Sequence, residues 1–177
     1  MNENVTTLFK EKWISIKQNV KHKYSFIHEE KCNGILVAFL PVKIIHGQLQ
    51  FLMRKEICPA HGNDHEFCGI IGGYDDNSIS IRDTAMKELK EETGYEIDKC
   101  DLESLDWVWD SKVADTKVYL FTADLSHYTQ GIAITDGTEL EKNSSCEWVC
   151  IEECMKTRDS KVHTILNKIQ YERRKYK

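Results

Sequence analysis

Prolines are scarce in this chain: Pro41 and Pro59 are the only two among 177 residues, and no stretch rich in glycine, serine or proline divides it. A flexible linker finds no place, and one domain large enough to bury a real core is the simplest reading. No run of about 18 apolar residues is present, which excludes a membrane-spanning helix. The opening Met-Asn-Glu-Asn-Val lacks the basic start and apolar centre of a secretion signal, so a cytoplasmic protein is expected. A basic excess is missing too. The net charge of −5 argues against a general nucleic-acid binder, whose affinity would rest on neutralised phosphates. The tail KIQYERRKYK reads as a solvated helix end, with RNA contact as the lesser alternative.

What is present is ordinary globular material, 41% hydrophobic and 30% charged. Seven cysteines without a secretion signal read as reduced thiols. Cys146, Cys150 and Cys154 recur every fourth residue, but CEWVCIEEC looks like a strand entering a helix, which scatters them. Cys58, His61, His65 and Cys68 form C-x2-H-x3-H-x2-C, a spacing able to close around zinc. The same segment reads as a hairpin loop bordering a substrate cleft, with His61 or His65 placed to contact a base or phosphate.

Hydrophobic patterning gives strands, helix, strands and helix, an α+β order. KWISI and KYSFI are short β pieces in a polar stretch of the first 30 residues. GILVAFLPVKII reads as a buried strand, followed by a turn at His46-Gly47 and a second strand, QLQFLMRK. EFCGIIGG, SLDWVW, KVYLFTADL, GIAI and CEWVCI are further strands; EECMK opens a helical turn, and DSKVHTILNKIQYERRK is a terminal helix. Trp107, Trp109 and Tyr119 are core residues or stacking surfaces for a base.

GGYDDNSISIRDTAMKELKEETGY carries the chemistry. Ser80 is an N-cap with Asp83 three residues on, Ile81, Ala85 and Leu89 form an apolar stripe, and Gly94 closes the helix. Glu88, Glu91 and Glu92 then stand at i, i+3 and i+4 on one face. Like charges so spaced cost roughly 0.2–0.5 kcal/mol per pair. The negative end of the helix dipole adds about 0.3–1 kcal/mol per anion. Such a cluster is unfavourable without a cation, and hard carboxylate oxygens suit Mg²⁺ or Mn²⁺. Neutralising Glu91 or Glu92 is accordingly expected to leave the fold intact or slightly more stable.

This stretch resembles the Nudix box, G-x5-E-x7-R-E-U-x-E-E-x-G-U, where U is apolar. Gly73, Glu88, Leu89, Glu91, Glu92, Gly94 and Tyr95 match it. The pattern's first Glu falls on Ile79 and its Arg on Lys87, two positions that pair with each other structurally in the family. The resemblance runs over roughly residues 34 to 156 and implies an α+β Nudix fold, a mixed sheet sandwiched between helices, over 34–177. Residues 1–33 resemble the N-terminal β extension of the ADP-ribose and nucleoside-diphosphate-sugar pyrophosphatase branch, where it helps form a homodimer. That branch often carries a proline some sixteen residues past the box; here VWDSKVAD has none.

The resemblance implies a Mg²⁺-dependent (or Mn²⁺-dependent) hydrolase of a nucleotide substrate, cleaving the pyrophosphate of ADP-ribose or another nucleoside-diphosphate sugar. Dinucleotides, NTPs and capped RNA are the other substrates it allows. Glu88, Glu91, Glu92 and the Gly72 carbonyl would hold the metal. The general base would be Glu88 or an acid of the loop TDGTELEKNSS, which carries Asp136, Glu139 and Glu141. Arg54, at a strand end, would contact phosphate. The competing reading, suggested by Ile79 and Lys87, is a Nudix-fold sensor that binds a nucleotide without turnover.

Overall fold

Three short strands, β1 (Val5–Lys10), β2 (Ile14–Asn19) and β3 (Tyr24–Glu29), form an antiparallel sheet in the order β1-β2-β3. The computed structural model describes residues 4–62, 64–74, 79–134 and 143–175. Two of these strands match the expected β pieces; β1 was not expected, although its Val-Thr-Thr-Leu-Phe run is β-prone. Phe9 faces Ile16 and Ile16 faces Ile27, and with Ile14 they leave one side of the sheet apolar and exposed. The other side carries Ser15 and His28, both buried. It docks on the core: His28 Nδ1 lies 2.9 Å from Asp115 Oδ1, the Thr116 hydroxyl donates to Glu29, and Ile27 bridges to Ala114.

The core begins with β4 (Ile35–Phe39) and β5 (Val42–Ile45). The single strand expected over these residues is corrected. Pro41 has no N–H to give a ladder, and the chain passes there from one sheet to another. His46 and Gly47 both take positive φ, 50° and 77°, as a tight two-residue hairpin turn demands. The remaining strands are β6 (Gln48–Ile57), β7 (His65–Cys68), β8 (Ile70–Gly73), β9 (Glu103–Trp109), β10 (Lys117–Thr122) and β11 (Ser145–Val149). They form two sheets, β8-β4-β10-β9 and β11-β6-β5, with β7 beside β6. The parallel β4–β10 pair among antiparallel neighbours makes the architecture mixed.

Helix α1 (Ile81–Thr93) covers one face; the short α2 (Ile151–Cys154) and long α3 (Ser160–Lys175) cover the other. Strand alternation divides the apolar residues accordingly. Val37, Phe39, Leu52 and Ile70 pack with Ala85 and Leu89 of α1. Ala38, Met53 and Leu120 pack with Val162, Ile165 and Leu166 of α3. The expected α+β layering is the one observed.

One expected strand is not formed. GIAI, residues 131–134, has no regular structure, and Ile132 and Ile134 face solvent. Its backbone is engaged elsewhere: Gly131 N–H donates to Gly94 O and Ile134 N–H to Glu91 O, at the closing end of α1. The three periodic cysteines do scatter, Cys146 onto β11, Cys150 to the start of α2 and Cys154 into the core beside Met53. Among the described residues no helix is long and apolar enough to cross a membrane.

Candidate active site

Helix α1 is built as its sequence dictates. The Ser80 hydroxyl accepts from Asp83 N–H at 3.1 Å, and Gly94 closes the helix at φ 77°, its N–H donating to Lys90 O. Gly94 is required twice over, because a Cβ there would also lie 2.4 Å from Gly131 O. These caps and the buried stripe beneath fix which way each glutamate points.

Glu88 lies over Gly72 of β8. A Cβ on Gly72 would sit 2.2 Å from the Glu88 side chain, far inside the roughly 3.0 Å that real contacts respect. Only glycine lets the carboxylate descend onto this strand. One turn on, Glu92 makes an ion pair with Arg54 of β6, and Arg54 Nε lies 2.8 Å from Glu56 Oε2. Arg54 is 4% exposed, so the pairing takes place inside the protein. Neither Arg54 Nε nor Glu92 Oε2 makes an aligned hydrogen bond. Two carboxylates thus face one guanidinium.

Two thiols frame this seam, because Cys68 of β7 and Cys146 of β11 both stand opposite Arg54. The Cys68 thiol donates to Arg54 O and Glu56 Oε1, and the Cys146 thiol to Glu92 O. Burial pushes Cys146 up to about 11, and burial beside Glu56 pushes Cys68 higher still. Both act as neutral donors at neutral pH. Glu91 points outward, more than a third exposed, with Lys87 Nζ 3.9 Å away. Lys87 therefore does not pair with Ile79, whose carbonyl instead accepts from the Tyr74 hydroxyl.

The other predicted residues do not all gather. Arg54 is buried rather than exposed at a strand end. His61 lines a cavity of about 420 Å³ with Glu56, Cys58, Cys68 and Lys161. His65 turns away, its Nε2 3.1 Å from Asn143 O. The four candidate zinc ligands are thus not brought to one point, and among the described residues no three His, Cys, Asp or Glu side chains form a ready metal cage. Asp136, Glu139 and Glu141 lie outside the described residues. Trp107 and Trp109 stack edge to face at 5.1 Å, partly exposed, with Lys117 over both rings; Tyr119 packs on the core. Sequence reasoning missed Glu56. Its position two residues after Arg54 puts it on the same side of β6, a signal that alternation offers.

A divalent hard cation fits the residues present. The donors are carboxylates and a strand carbonyl, and Glu88 occupies a cradle that a Cβ would fill. The lack of a closed cage is no obstacle for Mg²⁺, which is commonly held by one or two carboxylates together with substrate phosphates.

Comparison with known proteins identifies the family. The model of the NUDIX domain matches residues 36–166, well over half of the chain. The chain belongs to the Nudix family. No curated protein sequence matches it significantly. Among solved structures, it is similar to an ADP compounds hydrolase, at 16% identity and TM-score 0.67, over 96% of this chain and 91% of that one. It is also similar to the NUDIX domain of Shewanella oneidensis NrtR complexed with ADP ribose, at 17% identity and TM-score 0.56, over 78% and 86%. A third is a C. elegans Ap4A hydrolase, at 17% identity and TM-score 0.54, over 77% and 95%. At such identities the likeness is one of fold.

Proposed function

We propose that this Nudix family member hydrolyses the diphosphate linkage of a nucleoside diphosphate joined to another group, with Mg²⁺ or Mn²⁺, and that ADP-ribose or another nucleoside-diphosphate sugar is its substrate class. The observation that carries this reading is Glu88 seated over Gly72, one helical turn from a buried Glu92.

Glu88, Glu91 and Glu92 hold the cation together with the Gly72 carbonyl. When bound, a divalent ion neutralises phosphate charge and makes an attacking water more acidic. Glu88, or an acid among Asp136, Glu139 and Glu141, takes the proton from that water. Arg54 and His61, rather than His65, contact phosphate or base. Because phosphoryl chemistry asks mainly for positioning and charge neutralisation, losing one of these carboxylates should cost on the order of 10²–10³ in kcat.

The substrate class draws support from the fold likeness to the ADP compounds hydrolase, which extends over nearly the whole chain, N-terminal strands included. A second support is the ADP ribose held by the NrtR domain. The exposed apolar face of Phe9, Ile14, Ile16 and Ile27 supports a homodimer formed through residues 1–33. Ile16→Lys should halve the mass seen by light scattering if that face joins two copies.

The deciding experiment incubates the purified protein with ADP-ribose, sugar nucleotides, a dinucleoside tetraphosphate and NTPs, with Mg²⁺ or with EDTA, and follows AMP and phosphate release. Metal-dependent AMP release from ADP-ribose is expected. Tight binding with no turnover on any substrate would favour a sensor, the reading that Ile79 and Lys87 support in place of the box's Glu and Arg.

A further inference from the structure

Arg54 and Glu92 present a contradiction in the site just described. Glu92 is one of the carboxylates assigned to a cation, yet its side chain, only 13% exposed, already carries the guanidinium of a buried arginine. Arg54, in turn, is assigned to substrate phosphate, yet its charge is spent on Glu92 and Glu56. Both assignments cannot hold in one arrangement. Two arrangements of the same pair reconcile them.

We propose that the Arg54–Glu92 ion pair is an exchange contact: as Glu92 turns to a divalent cation it releases the Arg54 guanidinium to the diphosphate anion, so cation and anion bind cooperatively. This rests on the nucleotide-hydrolase reading above. Three features of the seam suit a contact made to be exchanged. Arg54 faces two carboxylates, Glu92 and Glu56, so the seam carries one negative charge in excess, which a cation relieves. Glu56 stays beside Arg54 Nε and is itself held by the Cys68 thiol, which keeps the guanidinium in place after Glu92 departs. Glu92 also has Glu88 one turn back on its own helix, a like-charged neighbour that a cation reconciles.

The exchange also avoids burying an unpaired charge in either of its end states. Without ligands, each of Arg54 and Glu92 neutralises the other; with both bound, each meets an external partner of opposite sign. Either ligand alone leaves one of the two buried groups underpaired. Linkage then requires that each ligand raise the affinity of the other by the same factor.

The test measures metal-free binding of α,β-methylene-ADP, a diphosphate that cannot be cleaved at that bridge, in EDTA by calorimetry. Glu91→Gln and Glu92→Gln remove the same charge from the same helix face, but only Glu92→Gln frees Arg54. Glu92→Gln should bind the analogue at least tenfold more tightly than the wild type, about 1.4 kcal/mol, and Glu91→Gln less than threefold. Equal gains in both variants would reduce the effect to general charge and overturn the exchange. Should Glu92→Gln fail to fold, the wild type decides by NMR. The Arg54 Nε–H resonance, assigned by its loss in Arg54→Lys, should shift on adding Mg²⁺ alone and again on adding the analogue. A resonance unmoved while calorimetry records Mg²⁺ uptake overturns the exchange and leaves the hydrolase reading standing. Absence of Mg²⁺ uptake with and without analogue overturns both.

Discussion

Gly72→Ala separates a role in chemistry from a role in folding, because the structure predicts opposite sizes for the two effects. A Cβ on residue 72 would lie 2.2 Å from Cγ and Cδ of Glu88. Moving that contact out to 3.0 Å displaces the Glu88 side chain by at least about 0.8 Å. The obstacle is the end of a flexible side chain, and Gly72 is not among the glycines with positive φ, so its strand conformation suits alanine. Overpacking costs about 1–3 kcal/mol in a tight core, and the less mobile unfolded chain returns about 0.4–1 kcal/mol. A net loss between about 0 and 2.6 kcal/mol follows, toward the lower end because Glu88 yields first. Displacing a metal-holding carboxylate by nearly 1 Å is a different matter, since misplacements of that size cost on the order of 10²-fold in rate, or roughly 2.7 kcal/mol of barrier. Steady-state hydrolysis of ADP-ribose with Mg²⁺ and thermal unfolding of the same sample give both numbers. Wild-type turnover in Gly72→Ala would mean that the Glu88–Gly72 contact has no part in the reaction.

Glu91→Gln and Glu92→Gln should both lose turnover but part company in stability. Glu91 is exposed, so relief of repulsion leaves Tm unchanged or slightly raised, whereas loss of Glu92 underpairs buried Arg54 and costs about 1–3 kcal/mol, several degrees in Tm. For Glu92 this reverses the stability expected from charge repulsion alone. Alkylation at neutral pH, mapped by mass spectrometry, should reach exposed Cys100 first and spare Cys146 and Cys154, whose thiols burial pushes up to about 11 and about 12. Hydrogen bonds from Lys10 and Ser15 hold the Glu30 carboxyl down at about 2. Because the folded value is depressed, the stabilisation is whole above the ordinary carboxylate range and is lost as pH falls through about 2. Acid titration of unfolding should show this loss, and Glu30→Gln should flatten that portion of the curve.

The box helix was legible almost residue by residue, since Ser80, the Ile81–Ala85–Leu89 stripe and Gly94 are local signals and α1 obeys them. Most strands were legible too, because alternation and apolar runs survive in isolation. What escaped depends on partners distant in the chain. Pro41 marks a break in the ladder but not which sheet the next strand joins; Phe121 and Ala123 bond the backbone on either side of it. Ile132 and Ile134 look like strand residues, yet no sheet edge is offered to them and the end of α1 takes their backbone instead. Arg54 read as a free strand-end cation because Glu92, 38 residues on, is invisible from β6 in sequence alone. Glu88 and Gly72 were expected only as two oxygen donors to one metal, not as atoms in contact.

The segment after Tyr128 has a consequence that its irregular outline conceals. Gly131 and Ile134 give their amide hydrogens to carbonyls at the last turn of α1, so those two protons should exchange with solvent as slowly as the helix end itself opens. Deuterium uptake at Ile134, whose side chain stands in water, would then register the unfastening of the glutamate helix and not the wandering of a loop.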